Sequence, residues 1–566
     1  MTCTKFKLTT VAAFVFAATN ANAALYKVVE VTPSITGASE IFGVAIQPAT
    51  VSGTESCFTT DTVGGVACDS FKLAGETRNA IEGVSYREEV PFAMDAAFQY
   101  IQDRDDFYDY CRRELKYSTC ESWADEHWST WDKERNLSYV NAKAFVGQGG
   151  SSISPFNVSI TALDDSGLPL GIKSNGSNIR YNAVTTVPLS ASSESRAWGA
   201  LVVNDGTTDI VYNFGSISFK GPGTSTSSTT FSSKAAIWKD GKVHQFNWTR
   251  GGNAQEGDYF AQGSMRGLAV NGGKLYGVGF DTVNGNGNLQ DMNASVFVSD
   301  SLDISGATWK TKIISGAEVK SGSSNDDARY SNSVATDIND NLLAVGYAKR
   351  NGYVPEKGSA GNKIFVVPDA SASTPTATFL SGGIFFNGAS GEAKAVNNYN
   401  EIVGQVDAET IREVDGSERR HRGFIYPYEV KSSKNERRVD IFNGQAWWLD
   451  DLTNDGNASG DNNKFRIIDA TDINDAGVIS ATAIKCTVGG KTQPYDTTSH
   501  NSYCGGAASN AVEEVVAVKL IPIAGNTKAD IQPRSTDTEK VGRQGGSLGW
   551  FALTVLGLLG FRRKFK

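Results

Sequence analysis

The sequence predicts an all-β protein built from repeated hairpin or blade units, with one small disulfide-bonded α-helical insertion. Three observations predict this class. A segment centred on an Asn-containing turn recurs along the chain, a short apolar segment recurs between its copies, and one stretch lacks glycine and is dense in charge. We expect five regions along the chain: a signal peptide over 1–23, the first β-strands over 24–85, the helical insertion over 86–141, a β-repeat body over 142–540, and a C-terminal tail with a short transmembrane segment over 541–566.

The N-terminus has the three parts of a secretory signal. Two lysines supply a basic start, residues 8–18 are mostly small or apolar, and Ala21-Asn22-Ala23 fits the small-x-small rule for signal peptidase. A buried N-terminal helix is the alternative, which the strand-like residues that follow disfavour. The sequence therefore predicts export, with cleavage by signal peptidase between Ala23 and Ala24.

Export places the cysteines in an oxidising compartment, where disulfides form. The six cysteines that remain after signal removal fall into three couples of near neighbours in sequence, with no Cys/His spacing typical of zinc. This clustering favours the pairs Cys57–Cys68, Cys111–Cys120 and Cys486–Cys504. Each pair would close a short loop and stabilise the fold by about 2–4 kcal/mol.

The recurring hairpin reads Ala-Thr-Asp-Ile-Asn-Asp at 335–340 and again at 470–475, with looser copies around Asn397 and Asn271. Asn and Gly supply the positive φ that such turns require. One hairpin and one further apolar strand element in each copy give three recognisable strands, close to the four of a propeller blade. We therefore favour a β-propeller. The alternative is a chance run of similar hairpins in an ordinary β-sandwich array.

These hairpins resemble HAF-type extracellular repeats, whose core reads roughly A-x-x-I-N-x-x-G-x-x-x-G. The match is best at 335–346 and 470–480, and Gly477 alone supplies the mid-turn glycine. Leu342 and Asn400 or Glu401 stand at that position in other copies. The resemblance implies repeated extracellular β-structure and brings no enzyme activity with it.

Residues 86–141 break the β pattern. Apolar residues follow helical spacing there, and we expect two or three helices stapled by Cys111–Cys120. Aromatic and acidic residues together form a candidate surface for a carbohydrate or a cationic peptide, because rings stack on sugar faces and carboxylates accept hydroxyl groups. The candidate binding residues are Trp123, His127, Trp128 and Trp131. The favoured interpretation is structural, an amphipathic helical hairpin whose aromatic residues pack on the β-body.

The C-terminal tail joins a glycine pair to an apolar run and a basic end. Gly545-Gly546-Ser547 precedes an uncharged run to residue 561, and Arg562-Arg563-Lys564 follows. This order resembles the GlyGly-CTERM sorting signal, which is associated with rhombosortase, an intramembrane serine protease. The resemblance implies transient membrane anchoring, cleavage near the glycine pair and delivery to the cell surface or beyond. The alternative is a permanent anchor, which would leave a periplasmic body attached to the inner membrane.

With these repeats and this tail, the whole chain resembles an exported bacterial family of unknown function. Its net charge is -9, and loss of both ends would remove basic residues only. The mature body would then be more acidic still. An acidic body repels nucleic acid and anionic lipid, so we expect no nucleic-acid partner.

One polar stretch offers a candidate metal site. Asp451, Thr453 and Asp455 stand at the first, third and fifth positions of a calcium-type loop, and Asp461 stands one place before its last position. Asn462 occupies that last position, where a bidentate Glu is needed. The sequence therefore favours a long polar loop, with calcium as the alternative, and we expect no other cofactor.

The sequence contains no HExxH, P-loop or dinucleotide-binding motif. The basic run Arg419-Arg420-His421-Arg422 is interpreted as a solvated hairpin edge. These observations favour a binding or interaction module. The alternatives are an extracellular hydrolase or lyase on the same scaffold, using paired carboxylates or calcium, and an envelope component without a ligand.

Overall fold

The computed structural model describes residues 24–79, 103–135, 138–174, 194–204, 207–221, 230–256, 259–284, 291–318, 330–350, 356–359, 361–410, 419–430, 436–456, 461–489, 491–492, 503–504 and 510–534. The predicted signal peptide and C-terminal tail, with the processing residues Ala23, Gly545, Gly546 and Ser547, lie outside these residues. Ala24 is the first residue described, and it is buried. Within the described ranges, no helix combines the length and the apolar character needed to cross a membrane.

The protein is mostly β, as the sequence predicts. The first strands are β1 (Tyr26–Glu30), β2 (Glu40–Ile46), β3 (Thr62–Val63), β4 (Val66–Ala67), β5 (Leu73–Arg78), β6 (Ala142–Val146), β7 (Val158–Leu163) and β8 (Pro169–Lys173). The next are β9 (Glu194–Asn204), β10 (Asp209–Gly221), β11 (Thr230–Lys239), β12 (Lys242–Gln245), β13 (Gln255–Glu256), β14 (Tyr259–Phe260), β15 (Gly263–Asn271), β16 (Lys274–Asn284), β17 (Asp291–Ser299) and β18 (Trp309–Ile313).

The remaining strands belong to the C-terminal half of the chain. They are β19 (Tyr330–Ile338), β20 (Ala344–Arg350), β21 (Asn362–Val367), β22 (Thr378–Phe379), β23 (Gly391–Val396), β24 (Glu401–Asp407), β25 (His421–Pro427), β26 (Trp447–Trp448), β27 (Phe465–Ile473), β28 (Ile479–Val488), β29 (Lys491–Thr492) and β30 (Ala511–Pro522).

The helices are short and few in the described part of the chain. They are α1 (Arg104–Tyr110), a π-helical turn (Cys111–Leu115), α2 (Cys120–Arg135), α3 (Glu436–Asp440), α4 (Leu449–Leu452) and two 3-10 turns (Asn462–Lys464 and Lys528–Asp530). The helical insertion lies between β5 and β6, which are neighbours in one sheet. The predicted first helical stretch, over 86–102, lies outside the described residues.

The strands form several small antiparallel sheets. Four sheets take their strands in chain order, namely β9–β12, β15–β18, β19–β22 and β23–β26. β2, β5 and β6 form another sheet, and β7 pairs with β8. The last sheet combines β27, β28 and β30 with β1, so that the N-terminal strand joins the C-terminal ones.

The sheets pack on one another through their first strands. We call β2, β7, β9, β15, β19, β23 and β27 the inner strands. β7 contacts β2 and β9, β9 contacts β15, β15 contacts β19, β19 contacts β23, and β23 contacts β27. β27, β28 and β30 in turn contact β2. Apolar residues fill the spaces between neighbouring sheets, for example Val278 and Val296 against Ala335 and Phe365.

Each inner strand contains a β-bulge. The pairing register skips Val44, Thr161, Trp198, Arg266, Thr336, Lys394 and Thr471, and we call these seven the bulged residues. It also skips Ser331 in β19 and Ile468 in β27. In several strands the residue before the bulge pairs with a glycine, where a side chain has no room. A Cβ on Gly404 would lie 2.0 Å from the Glu392 carbonyl oxygen, and one on Gly346 would lie 2.2 Å from that of Val334. A bulge bends the strand and redirects its side chains.

The Asn residues that mark the repeats connect neighbouring sheets. The Asn339 Nδ2 donates to the Asn397 carbonyl oxygen at 2.8 Å, and the Asn397 Nδ2 donates to that of Asn474 at 3.1 Å. The Asn474 Nδ2 donates to the Gln47 carbonyl oxygen at 2.9 Å. The repeated Asn therefore joins one sheet to the next in addition to shaping its own turn.

The mid-turn position of the repeat has the same left-handed conformation in three copies. The φ values are 62° at Leu342, 60° at Asn400 and 90° at Gly477. A Cβ on Gly477 would also lie 2.6 Å from Phe58 Cε2, which excludes a side chain there. The backbone shape is thus kept where the glycine of the repeat is replaced.

The predicted presence of disulfides is confirmed. They join Cys57 to Cys68, Cys111 to Cys120 and Cys486 to Cys504. The Cys111–Cys120 bond links the π-helical turn to the start of α2. Cys486 belongs to β28, in the sheet that contains β1 and β30, and the Cys57–Cys68 bond packs beside that sheet.

Candidate functional site

A cavity of about 1050 Å³ lies between the inner strands. Residues from all seven inner strands line it, and the helical insertion contributes further residues. We call this space the inner cavity. All seven bulged residues lie on its wall, so the repeated bulge is the local feature that turns one side chain of each inner strand towards it.

Two bulged residues pair across neighbouring sheets. The guanidinium of Arg266 lies 3.5 Å from the centre of the Trp198 indole, a cation–π contact. Two bulged threonines tie neighbouring sheets together, since the Thr336 hydroxyl donates to the Ala393 carbonyl oxygen at 2.9 Å and the Thr161 hydroxyl to that of Ala197 at 3.0 Å. The wall of the inner cavity is therefore held in place by side chains that also line it.

A polar cluster occupies one side of the cavity, on β21, β23 and β25. The Glu392 carboxylate accepts a hydrogen bond from Asn362 Nδ2 at 2.8 Å and forms an ion pair with Lys394. Burial acts to raise the pKa of Glu392, but the charge of Lys394, its hydrogen bond and the nearby His421 together hold that pKa below its usual range. Glu392 is thus a carboxylate acceptor on the cavity wall.

A buried carboxylate lies beside His421 in the same cluster. The His421 Nε2 lies 3.2 Å from Asp407 Oδ1, and Asp407 is fully buried. The other oxygen of Asp407 accepts hydrogen bonds from Arg419 Nη1 at 2.8 Å and from the Ser390 amide at 2.9 Å. An imidazole and a buried carboxylate thus lie side by side at the cavity wall.

The prediction that the basic run around His421 is a solvated hairpin edge is wrong. Arg419 is buried and bonds the Gly388 carbonyl oxygen as well as Asp407. Arg422 forms an ion pair with the buried Asp450 at 3.1 Å. The sequence alone suggests solvent-exposed positive charges, because the acidic partners of these arginines lie on other strands and helices.

The helical insertion supplies an aromatic side of the cavity. Trp123 and His127 stack with their ring centres 3.8 Å apart, and the His127 Nδ1 lies 2.7 Å from the Trp123 carbonyl oxygen. Both line the cavity, together with Phe107 and Tyr110. Aromatic rings and polar groups therefore meet in one space.

The four binding residues predicted from sequence separate in the structure. Trp123 and His127 line the cavity, whereas Trp128 and Trp131 do not. Trp131 is fully buried with Phe107 and Ala124, and Trp128 packs against this cluster.

Sequence reasoning missed the bulged residues and the polar cluster. A signal was available for three of the bulged residues, because Thr336, Lys394 and Thr471 each stand three places before the marker Asn.

Acidic residues line another part of the cavity, at the Asn turns. The Asn398 Nδ2 donates to both Asp340 and Asp475, each at 3.0 Å. Burial raises the pKa of both carboxyls. Burial also raises the pKa of Asp337 to about 7, although its oxygens accept hydrogen bonds from the Val396 and Ile338 amides. This part of the cavity binds protons more readily than its residue types suggest.

A family model described as "Protein of unknown function (DUF3466)" matches residues 206–564, more than half of the chain. The chain belongs to the DUF3466 family. No curated protein matches it. Among solved structures, an ACO/RPE65 chimera is similar at 9% identity with a TM-score of 0.28, covering 72% of this chain and 91% of that one. A mutant of the Synechocystis apocarotenoid oxygenase is similar at 9% identity with a TM-score of 0.25, covering 72% and 90%.

The candidate calcium loop of the DUF3466 protein is engaged by an arginine. Asp451 accepts a hydrogen bond from the Arg534 amide at 2.9 Å, and the Thr453 hydroxyl accepts one from the Arg534 guanidinium at 3.2 Å. Asp461 is exposed and lies 3.6 Å from Lys464. Across the described residues, Asp455 included, no three His, Cys, Asp or Glu side chains gather as a metal site.

Proposed function

We propose that this DUF3466 protein is an exported binding module, a closed β-propeller that holds a ligand in the inner cavity. The observation that carries the proposal is the cavity itself, which takes wall residues from every inner strand and from the helical insertion. Ligand sites in proteins are concave spaces of about 300–1,000 Å³ with a few convergent polar groups in a largely apolar wall. The inner cavity lies at the upper end of this size range, and its wall combines apolar residues with many polar ones.

The propeller interpretation rests on the order of the sheets. A propeller blade is an antiparallel sheet of about four strands. Here the sheets pack on one another in chain order through their first strands, as blades do. The return contact from β27, β28 and β30 to β2 supports closure of the ring. The pairing of β1 with β30 supports it further, because the first strand of the chain then completes the last blade.

Export is supported by the disulfides, which persist in oxidising compartments. We propose cleavage by signal peptidase after Ala23, followed by processing of the tail by a rhombosortase-like protease and release to the cell surface or beyond. Intact mass and fractionation of the protein from its host test this. A C-terminus near Gly545–Ser547 with surface recovery supports sorting. A full-length C-terminus in the inner membrane would replace it with a tethered periplasmic protein.

A second function, an extracellular hydrolase or lyase, is favoured by one observation. His421 lies on the cavity wall with its Nε2 3.2 Å from Oδ1 of the buried Asp407, close to Glu392, whose pKa is lowered. A histidine next to carboxylates is a pairing that acid–base catalysis uses. Turnover of a bound ligand that is lost in His421→Ala, with binding retained, would establish this function in place of simple binding.

A large side chain placed in the cavity tests the binding function. Thr161→Trp adds an indole to the cavity wall, whereas Thr378→Trp adds the same group to an exposed edge strand. Titration of neutral, acidic and basic small molecules first identifies a ligand of the natural protein. We expect this ligand to bind the Thr378→Trp protein with the same affinity. Binding to the Thr161→Trp protein should be lost, with folding checked by circular dichroism. Equal binding by both variants would show that the cavity is not the site.

A further inference from the structure

The inner cavity contains a carboxylate oxygen that needs a donor. Asp469 lies on β27 and lines the cavity, and its Oδ1 is buried with no hydrogen-bond partner among the described residues. Buried polar atoms are almost always paired, and one that is not calls for an explanation. A ligand hydroxyl or N–H group that enters the cavity would supply the missing hydrogen bond.

The polar cluster around Glu392 offers donors and acceptors side by side. Glu392 accepts, Lys394 donates, and the Asn362 and Gln405 amides can do both. β25, which carries His421 of this cluster, packs directly on β27, which carries Asp469. A purely apolar ligand would displace water from the cluster and leave its remaining donor and acceptor positions unsatisfied, which is unfavourable.

The charges on the wall disfavour an anionic ligand. Carboxylates outnumber basic side chains among the lining residues. Two of the basic groups already have acidic partners, since Arg78 lies 2.6 Å from Glu76 and Lys394 is paired with Glu392. An anion would therefore meet more repulsion than attraction inside the cavity.

The helical insertion gives the cavity an aromatic side. Trp123, His127, Phe107 and Tyr110 line the cavity from the helical insertion. A molecule with an apolar face for these rings and many hydroxyl groups for the carboxylates and amides is a sugar. On the basis of the proposed binding function, we infer that the inner cavity binds a neutral saccharide, with Trp123 as a stacking group and Asp469 and Glu392 as hydroxyl acceptors.

Titration calorimetry of the protein purified from its host tests this inference. The probes are cello-, malto-, manno- and xylo-oligosaccharides, with oligogalacturonate as the anionic and spermidine as the cationic comparison. We expect saturable binding of at least one neutral probe. Asp469→Asn should weaken it roughly tenfold or more, because a hydrogen bond to a charged acceptor is lost.

Matched variants separate the stacking and acceptor roles from general damage to the fold. Trp123→Ala should weaken binding about tenfold, whereas Trp128→Ala, on the same helix but off the cavity wall, should not. Asp461→Asn, an exposed carboxylate paired with Lys464, is the control for Asp469→Asn. Preferred binding of oligogalacturonate or spermidine would overturn the inference, as would no binding of any neutral probe.

The proposed function and the saccharide inference can fail separately. If a non-saccharide ligand binds and Thr161→Trp abolishes it, the binding function stands and the saccharide is wrong. If neutral saccharides bind equally to the Thr161→Trp, Asp469→Asn and Trp123→Ala proteins, they bind elsewhere, and both proposals about the cavity fall.

Discussion

At the scale of single residues, Asp337 shows how the fold changes a common side chain. Its Oδ2 accepts the amide of Val396 in the next sheet at 2.8 Å, and its Oδ1 accepts its neighbour's amide. Asp472 repeats this geometry with the Ile46 amide at 2.9 Å. Burial outweighs these hydrogen bonds at Asp337 and raises its pKa from 3.8 to about 7. Its proton is therefore held more tightly in the folded than in the unfolded protein.

We predict that stability falls as pH rises from about 4 to about 7, because the unfolded Asp337 ionises there more readily than the folded one. Asp337→Asn removes this titration. The free energy of unfolding of the variant, relative to the natural protein, should rise over that range by up to about 1.4 kcal/mol per pH unit. Urea denaturation of both proteins between pH 4 and pH 8 measures it. Parallel pH profiles would contradict the prediction.

At the scale of strands, the bulge and the facing glycine form one unit. Gly404 on β24 pairs with Ala393, beside the bulged Lys394. A Cβ at Gly404 would lie 2.0 Å from the Glu392 carbonyl oxygen, so β23 would have to move. Because β23 carries both Glu392 and Lys394, the position of the polar cluster depends on a glycine that does not touch the cavity.

We predict that Gly404→Ala destabilises the protein by about 3 kcal/mol, since backbone atoms cannot yield as a side chain can. Gly306→Ala is the control. A Cβ there would meet only the carboxylate of Asp303, at 2.9 Å, which is the end of a flexible side chain. Chemical denaturation of both variants is the measurement, and equal stability would show that the bulge adjusts freely.

At the scale of the whole molecule, the N-terminal strand belongs to a sheet made from the other end of the chain. Every residue of β1 pairs with β30, from Tyr26 opposite Pro522 to Glu30 opposite Val518. Leu25 and Tyr26 are fully buried in the core of this sheet, and the Val28 amide donates to Asn462 Oδ1 at 2.9 Å. The last sheet therefore depends on residues more than 400 positions away in sequence.

Deletion of residues 24–31 should destabilise the protein by roughly 5 kcal/mol or more, because Leu25, Tyr26 and Val28 each contribute about 1.5–3 kcal/mol on burial. A chain that starts at Ala24 is the control and should unfold cooperatively. A synthetic peptide of residues 24–31 should restore the thermal transition of the deleted protein by adding to the edge of β30. An unchanged transition after the deletion would show that β1 is dispensable.

Some features were predictable because they are local. The Asn turns at 339, 397 and 474 were visible, since turn chemistry depends on neighbouring residues. The helical stretch around Trp123 was expected because the segment lacks glycine and is dense in charge, and nearness in sequence favoured the cysteine pairs that the structure joins. These features set the β class, the repeat and the disulfides without knowledge of the packing.

The sequence by itself thus determined the mainly β class, the repeated turns and the disulfide-bonded helical insertion, because short-range periodicity and turn residues specify them. Only the tertiary structure decided which side chains share the inner cavity. Trp123, Arg266, Glu392, His421 and Asp469 come from five distant parts of the chain, and bulges and sheet packing bring them together. The physical reason is that burial, ion pairing and pKa depend on neighbours in space, and these neighbours arise from long-range strand pairing.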